Sequence, residues 1–440
     1  MPYSRRSRIS ALASLLLAAA LASTVASAAA TSPDEPDWVA SWQASPQPVW
    51  NPQFLFPTNI PAQLSDQTVR QTARVSIGGR KLRLVMSNAY GDQPVRIGRV
   101  TVGRPDTDGT AAPRTVTFGG LETVTVLPGA QVLSDAVPLP VAALTRLAVN
   151  IHLPQATPLQ GFHWDGRQTA WILPGDRTLE PRHPPGDAAS STTARLLLTG
   201  IQVQDRGHDR RPAQAVAVIG DSITDGAAAS LDKDRRWPDF LAARLAAQGV
   251  GVVNAGISGA RLLSDGMGVN ALARLDRDVL SQAGVRSVIV MLGINDIAWP
   301  GTAFAPQGER PTLEAMVAGY RQLIAQAHGR AVRVVGATLT PFEGALPGTP
   351  LADYYQADKD TLRGQVNEWI RHGGAFDAVI DFDSLLRDPE HPSRLASRFD
   401  SGDRLHPGDE GNRAMAEAVD LATLLPAVRP LPPGQARRRH

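Results

Sequence analysis

No cysteine occurs among the 440 residues. Its absence excludes a disulfide framework and a lipid-modified cysteine at the start of an exported chain. Stability must come from packing, and an apolar fraction of 43% is ordinary for a chain that buries real cores and is long enough for two domains. A charge excess is lacking too. The formal net charge is +2, and loss of Arg5, Arg6 and Arg8 would take it from +2 to −1. A nucleic-acid partner therefore has no electrostatic footprint. No internal repeat is present. Neither a His-Glu-x-x-His pattern nor a Cys-His spacing occurs, so no metal-ligand spacing of those kinds competes with other readings.

What is present begins with an export signal. Arg5, Arg6 and Arg8 precede an apolar stretch from Ile9 through Val25, and small residues follow to Ala30. This predicts a signal peptide over residues 1–30, cleaved after Ala28 or Ala30, and a secreted or periplasmic location. A stable membrane anchor is not expected, because the stretch is short and interrupted by serines. The Arg5-Arg6 pair leaves the twin-arginine and general export routes both open.

From Trp38 to about Val203 apolar and polar residues alternate, as in Ala73–Ile77, Lys81–Met86 and Arg146–His152. Turn signals such as Gly78-Gly79 and Gly91-Asp92 separate these runs. An antiparallel β-rich domain, sandwich or jelly-roll-like, is predicted over residues 36–204. The charged stretch 205–213 reads as a linker. Residues 214–428 then alternate short apolar runs (Ala215–Ile219, Val250–Val253, Val288–Leu292, Val332–Gly336, Ala378–Ile380) with helical spacing, as in Trp237, Phe240, Leu241 and Leu245. That rhythm predicts an α/β domain, a parallel sheet covered on both faces, with functional residues at the C-terminal strand ends. Residues 429–440 form a basic, solvated tail.

Four polar segments follow the predicted strands in order. Gly220-Asp221-Ser222-Ile223 places a serine on a tight turn near backbone N–H groups. The turn lacks both the phosphate-loop glycines and the Gly-x-Ser-x-Gly elbow. Asn254 through Arg261 carries Gly256 and Gly259, which allow close backbone approach, although a βα loop uses glycine for that purpose anyway. Gly293-Ile294-Asn295-Asp296 places a carboxamide at a strand end, where it can stabilise negative charge or simply cap a helix. Asp403-Arg404-Leu405-His406 sets a carboxylate three residues before a histidine, so one ring nitrogen can be held while the other takes a proton. Of nine histidines, His406 is the one that combines this spacing with a helix-like segment directly after it, Glu410 through Leu421.

Together these segments resemble the blocks of the SGNH, or GDSL-type, hydrolase family, over Ala215 to roughly Leu425. The resemblance implies a three-layer α/β/α, flavodoxin-like fold and neither a metal nor an organic cofactor. It implies Ser222 as nucleophile, His406 as base and Asp403 as its partner, with the oxyanion held by the N–H groups of Ser222 and Gly259 and the amide of Asn295. Ile223 stands where the family's motif has leucine, and Asp296 reads as structural. Segments such as Trp38–Trp42 and Ser87–Gly91 look like the strand-rich domain found before the hydrolase domain in some secreted bacterial members similar to arylesterases. The expected activity is hydrolysis of carboxylic esters with short acyl chains, including O-acetyl groups on carbohydrate, so the expected partner is a small-molecule or carbohydrate ester. Two alternatives stand beside it: a lipase or lysophospholipase, against which no long apolar lid is evident, and a non-catalytic carbohydrate-binding protein. His163-Trp164-Asp165 and Trp171 read either as core aromatics or as cleft lining. Specificity is expected in the loops 299–311 and 342–355.

Overall fold

Strands of a parallel sheet must be apolar on both faces, and the five runs of the second region meet that condition. In the computed structural model, which describes residues 38–105, 112–180, 191–204 and 214–425, they form β1 (Gln214–Gly220), β2 (Val250–Gly256), β3 (Val285–Met291), β4 (Arg333–Ala337) and β5 (Ala378–Ile380). All pairings are parallel and the order is β2-β1-β3-β4-β5. Alternate residues serve opposite layers: Ala215, Ala217 and Ile219 enter one core, Val216 and Val218 the other. This is the flavodoxin-like order, whose reversal between β1 and β3 opens a crevice at the C-terminal strand ends.

The helices that matter for the site are α1 (Ser222–Asp225), α2 (Trp237–Ala246), α3 (Ala271–Leu275), α4 (Ile294–Ala298), α5 (Leu313–His328), α6 (Ala357–His372), α7 (Phe382–Leu386) and α8 (Asp409–Ala418). Trp237, Leu241 and Leu245 of α2 pack with Met415 and Ala416 of α8 on one face of the sheet. Met316, Tyr320 and Leu323 of α5 and Val366 and Ile370 of α6 cover the other. The three-layer expectation holds.

The first region is built around two antiparallel sheets, with three two-stranded pairs beside them among the described residues. One orders Trp38–Gln43, Leu198–Gln204, Lys81–Ser87 and Gln131–Leu133; the larger has six strands, with Gln67–Arg74 and Arg146–Leu153 at its centre. One expected strand is displaced. The alternation of Ala73–Ile77 predicts a ladder, but pairing ends at Arg74. Val75 and Ile77 are buried beyond it, and the Ser76 hydroxyl accepts the N–H of Val252 in β2 at 2.9 Å. The alternation there records burial against the second region, not strand pairing.

Contacts of this kind join the two regions. Ala40 N–H donates to the carbonyl of Ala283, and Val39, Ile77, Ala215 and Val253 belong to one buried cluster. The described residues of both regions cluster as one compact unit. The expected export signal, the linker 205–213 and the basic tail lie outside the described residues. Among the described residues no helix is long and apolar enough to cross a membrane.

Candidate active site

Ser222 opens α1 immediately after β1. The Asp221 side chain caps that helix by accepting the N–H of Ile223 at 3.0 Å. Asp221 is fully buried, and burial pushes its carboxyl up to about 7, the Ile223 hydrogen bond and the charge of His406 only partly opposing this.

The Asp403–His406 segment folds back over the same strand end. Asp403 Oδ1 accepts the N–H groups of Leu405 and His406 at 2.9 and 2.8 Å. Its Oδ2 accepts from His406 Nδ1 at 2.6 Å. A carboxylate only accepts, so Nδ1 carries the proton and Nε2 is left as an acceptor. Ser222 Oγ donates to that nitrogen at 2.8 Å. Burial alone would raise the Asp403 pKa, but the hydrogen bond and charge of His406 and the two backbone N–H groups hold it well below the usual carboxylate range. The chain from Ser222 through His406 to Asp403 can therefore move a proton off the serine and stabilise the imidazolium that results.

Gly259 and Asn295 meet Ser222 at the same pocket. Gly259 has φ +70°, and a Cβ there would lie 2.5 Å from Met267 Sδ and 2.9 Å from Trp299. Only glycine fits both the backbone conformation and the space. Among the described residues neither the Ser222 nor the Gly259 N–H has an acceptor within the chain. Asn295 is buried, and its Oδ1 accepts from Trp299 Nε1 at 2.9 Å and from the Tyr354 hydroxyl at 2.7 Å. Those two donors fix the amide so that Nδ2 is the free end. One of its hydrogens goes to the carbonyl of Ala260 at 3.0 Å, and the other has no partner within the chain among the described residues. Asp296 instead accepts the N–H groups of Leu262 and Leu263 at 2.7 and 2.8 Å. It pins the loop after Gly259 and takes no place among the reacting groups. Burial pushes its carboxyl up to about 6, against the pull of those two hydrogen bonds.

A cavity of about 410 Å³ opens onto Ser222, Asn295 and His406. The loops expected to set specificity do line it, through Trp299 and Phe304 on one side and Leu346, Thr349, Pro350, Leu351 and Tyr354 on the other. The first region adds Leu55, Phe56, Trp164 and Asp165. Phe56 stacks on Trp164 at 5.6 Å, and Phe54 stacks on Phe304 across the regions at 5.8 Å. Of the ambiguous aromatic motif, Trp164 and Asp165 reach the cavity, whereas His163 is buried and Trp171 is not part of the lining. Sequence reading missed Leu55 and Phe56, and it missed Lys359 of α6, whose buried ammonium donates to the carbonyls of Ala298 and Asp353 at 2.7 and 2.9 Å and so ties α4 to the Tyr354 loop. Apolar residues at 362, 366, 369 and 370 carry the helical signal that could have located α6. Among the described residues no group of three or more His, Asp or Glu side chains could hold a metal ion.

Residues 216–419 match the family model of GDSL-like lipase/acylhydrolase proteins. No curated protein matches the chain. Among solved structures it is similar to the native aryl esterase of M. Smegmatis, with 21% identity and a TM-score of 0.39, over 48% of this chain and 100% of that one. It is also similar to a carbohydrate acetylesterase from Sinorhizobium meliloti, with 19% identity and a TM-score of 0.37, over 47% of this chain and 95% of the other. The family match spans all four polar segments that meet at the cavity, and so the chain carries, over residues 216–419, a hydrolase domain of the GDSL-like lipase/acylhydrolase family.

Proposed function

We propose that this protein hydrolyses carboxylic esters through an acyl-enzyme on Ser222. The observation that carries the reading is the unbroken hydrogen-bond chain from Ser222 Oγ through His406 to Asp403, opening onto a cavity of about 410 Å³. Ser222 attacks the ester carbonyl while His406 Nε2 takes its proton, and Asp403 steadies the imidazolium. The tetrahedral oxyanion is held by the N–H groups of Ser222 and Gly259 and by Asn295 Nδ2. His406 then gives its proton to the leaving alcohol. A water activated by the same histidine attacks the acyl-enzyme carbonyl, releasing the acid and restoring Ser222.

The lining supports an ester with an apolar group over an acetylated sugar. Recognition of sugar hydroxyls needs convergent free polar groups, and here the polar neighbours are already engaged. Asp165 accepts the backbone N–H of Arg167 at 3.0 Å and from its guanidinium at 3.1 Å. Ser258 Oγ donates to Asp225, Thr349 Oγ1 to the carbonyl of Leu346, and the Tyr354 hydroxyl to Asn295. The expectation of carbohydrate O-acetyl esters thus finds few partners in the cavity.

Two series test this: nitrophenyl esters of rising acyl length, and acetates of increasingly apolar alcohols. Each methylene the cavity accepts contributes about 0.8 kcal/mol, so kcat/KM should rise along at least one series by up to about fourfold per carbon until the space is filled. Faster release of acetate from acetylated polysaccharide than from any apolar ester would overturn the apolar reading.

Asn295→Ala separates the oxyanion assignment from mere packing. Losing one such donor should lower kcat by about 10²- to 10³-fold. It also strands Trp299 Nε1 and the Tyr354 hydroxyl, so thermal stability should fall by about 1–3 kcal/mol. A destabilised variant with undiminished kcat would remove Asn295 from the oxyanion site.

A further inference from the structure

The oxyanion-binding turn is held from outside the hydrolase domain. Asp225, the last residue of α1, is buried, and its Oδ2 accepts both the N–H and the hydroxyl of Ser258, at 2.9 and 2.8 Å. Ser258 immediately precedes Gly259. The other oxygen, Oδ1, has no aligned hydrogen-bond donor; what faces it is the imidazole of His163, with Nε2 at 3.0 Å. His163 belongs to the β-rich region and is 4% exposed. Its Nδ1 lies 3.0 Å from the carbonyl of Ser45. A carbonyl and a carboxylate both accept, so the two contacts favour a proton on each ring nitrogen and a cationic ring. Burial opposes that charge, as does Arg236, but Asp225 and the Ser45 carbonyl outweigh them and raise the His163 pKa.

The surroundings point the same way. Residues 163–169 lie along residues 225–234: Arg167 donates to the carbonyl of Ala229 at 2.9 Å, and Thr169 N–H and hydroxyl both go to Asp232, at 2.6 and 2.7 Å. A buried ion pair is seldom the most stabilising choice, since an apolar pair of the same volume often does as well. Here the pair spans two regions and ends one residue from an N–H that the reaction needs at a fixed place.

We propose that His163 is a positioning residue: through Asp225 and Ser258 it sets where the Gly259 N–H points, so that the β-rich region completes the oxyanion site of the hydrolase domain. The inference rests on the acyl-enzyme reading, and on Gly259 as a donor within it. It predicts a defect in transition-state stabilisation that substrate binding does not share.

The experiment uses the full chain, with Ser222→Ala, His163→Gln, Ser258→Ala and the double variant His163→Gln/Ser258→Ala measured side by side. His163→Gln keeps an amide donor without the charge, and Ser258→Ala removes a single hydroxyl, so the latter carries the test should the former not fold. For each, kcat and KM for a nitrophenyl ester, Tm, and the inhibition constant of phenylboronic acid are measured, the last because its serine adduct places a tetrahedral oxygen in the oxyanion site. In the folded single variants kcat should fall by about 10- to 100-fold, the loss that a misplacement of about 1 Å produces. KM should stay nearly constant and phenylboronate binding should weaken by the factor lost in kcat. The double variant should lose no more than the worse single, because both act through Asp225. Unchanged kcat and boronate binding, a loss confined to KM or Tm, or factors that multiply in the double variant would each overturn the inference. Ser222→Ala keeps the two readings apart. If that variant still turns over, the acyl-enzyme reading fails; if it is dead while His163→Gln and Ser258→Ala are unimpaired, only the positioning role fails.

Discussion

Replacing Ser222 with alanine should leave a folded protein whose ester turnover is lower by about 10⁶-fold, the loss seen when a serine hydrolase loses its nucleophile. The fold should survive because, among the described residues, the Ser222 side chain has a single hydrogen bond, to His406 Nε2 at 2.8 Å. Helix α1 is capped instead by Asp221 and closed by Gly226 at φ +104°. Loss of Oγ therefore removes chemistry without removing an anchor. Any residual rate would come from the oxyanion donors and substrate binding alone, which still give about 10³- to 10⁴-fold over water. The measurement is hydrolysis of a nitrophenyl ester, with Tm as the control for folding and covalent labelling by an organophosphonate as the control for site identity. Labelling must disappear with Oγ. Near wild-type turnover, or labelling that persists, would remove Ser222 from the reaction. A wild-type protein that neither turned over esters nor took the label would instead favour a non-catalytic carbohydrate-binding role.

The hydrolase half was readable because a parallel sheet writes itself plainly into a sequence. Val288–Leu292 and Ala215–Ile219 are apolar throughout since both faces are covered, and polar segments can stand only where a strand ends. Four ambiguous polar segments thereby acquired one address. What the alternation could not convey was which buried side chain meets which neighbour. Val75 and Ile77 look like a strand whether they pair in a ladder or pack beneath β2. Trp164 and His163 are adjacent, yet the half-buried indole lines the cavity and the buried imidazole faces Asp225. Nothing in the local sequence separates them, because the distinction belongs to residues far along the chain. The same holds for Asn295. Its residue type offers a donor, but the orientation of the amide is decided by Trp299 and Tyr354, and one of these lies on a distant loop of its own.

The second large effect belongs to Asp403→Asn, which should cost about 10⁴-fold in kcat while preserving shape. Oδ1 of Asp403 sits under two backbone N–H groups, of Leu405 and His406. An asparagine would keep those bonds only by placing its carbonyl oxygen there. Its NH2 group would then occupy the Oδ2 position, facing His406 Nδ1 across what is now a 2.6 Å hydrogen bond. Two donors cannot face each other, so the imidazole would move its proton from Nδ1 to Nε2. In that tautomer Nε2 already carries hydrogen and cannot accept from Ser222 Oγ. The nucleophile stays in place but has no base. Because Asp403 is held well below the usual carboxylate range in the native protein, it remains the anion throughout the mildly acidic to basic range and keeps accepting from Nδ1. Nitrogen NMR of the imidazole provides a check independent of rate: the proton should reside on Nδ1 in the native protein and on Nε2 in the variant. An Asp403→Asn protein with native kcat would overturn the assignment. A slow variant that retained the Nδ1 tautomer would place the role of Asp403 in charge stabilisation instead of tautomer control, since the imidazolium formed during attack would then lack its counter-ion.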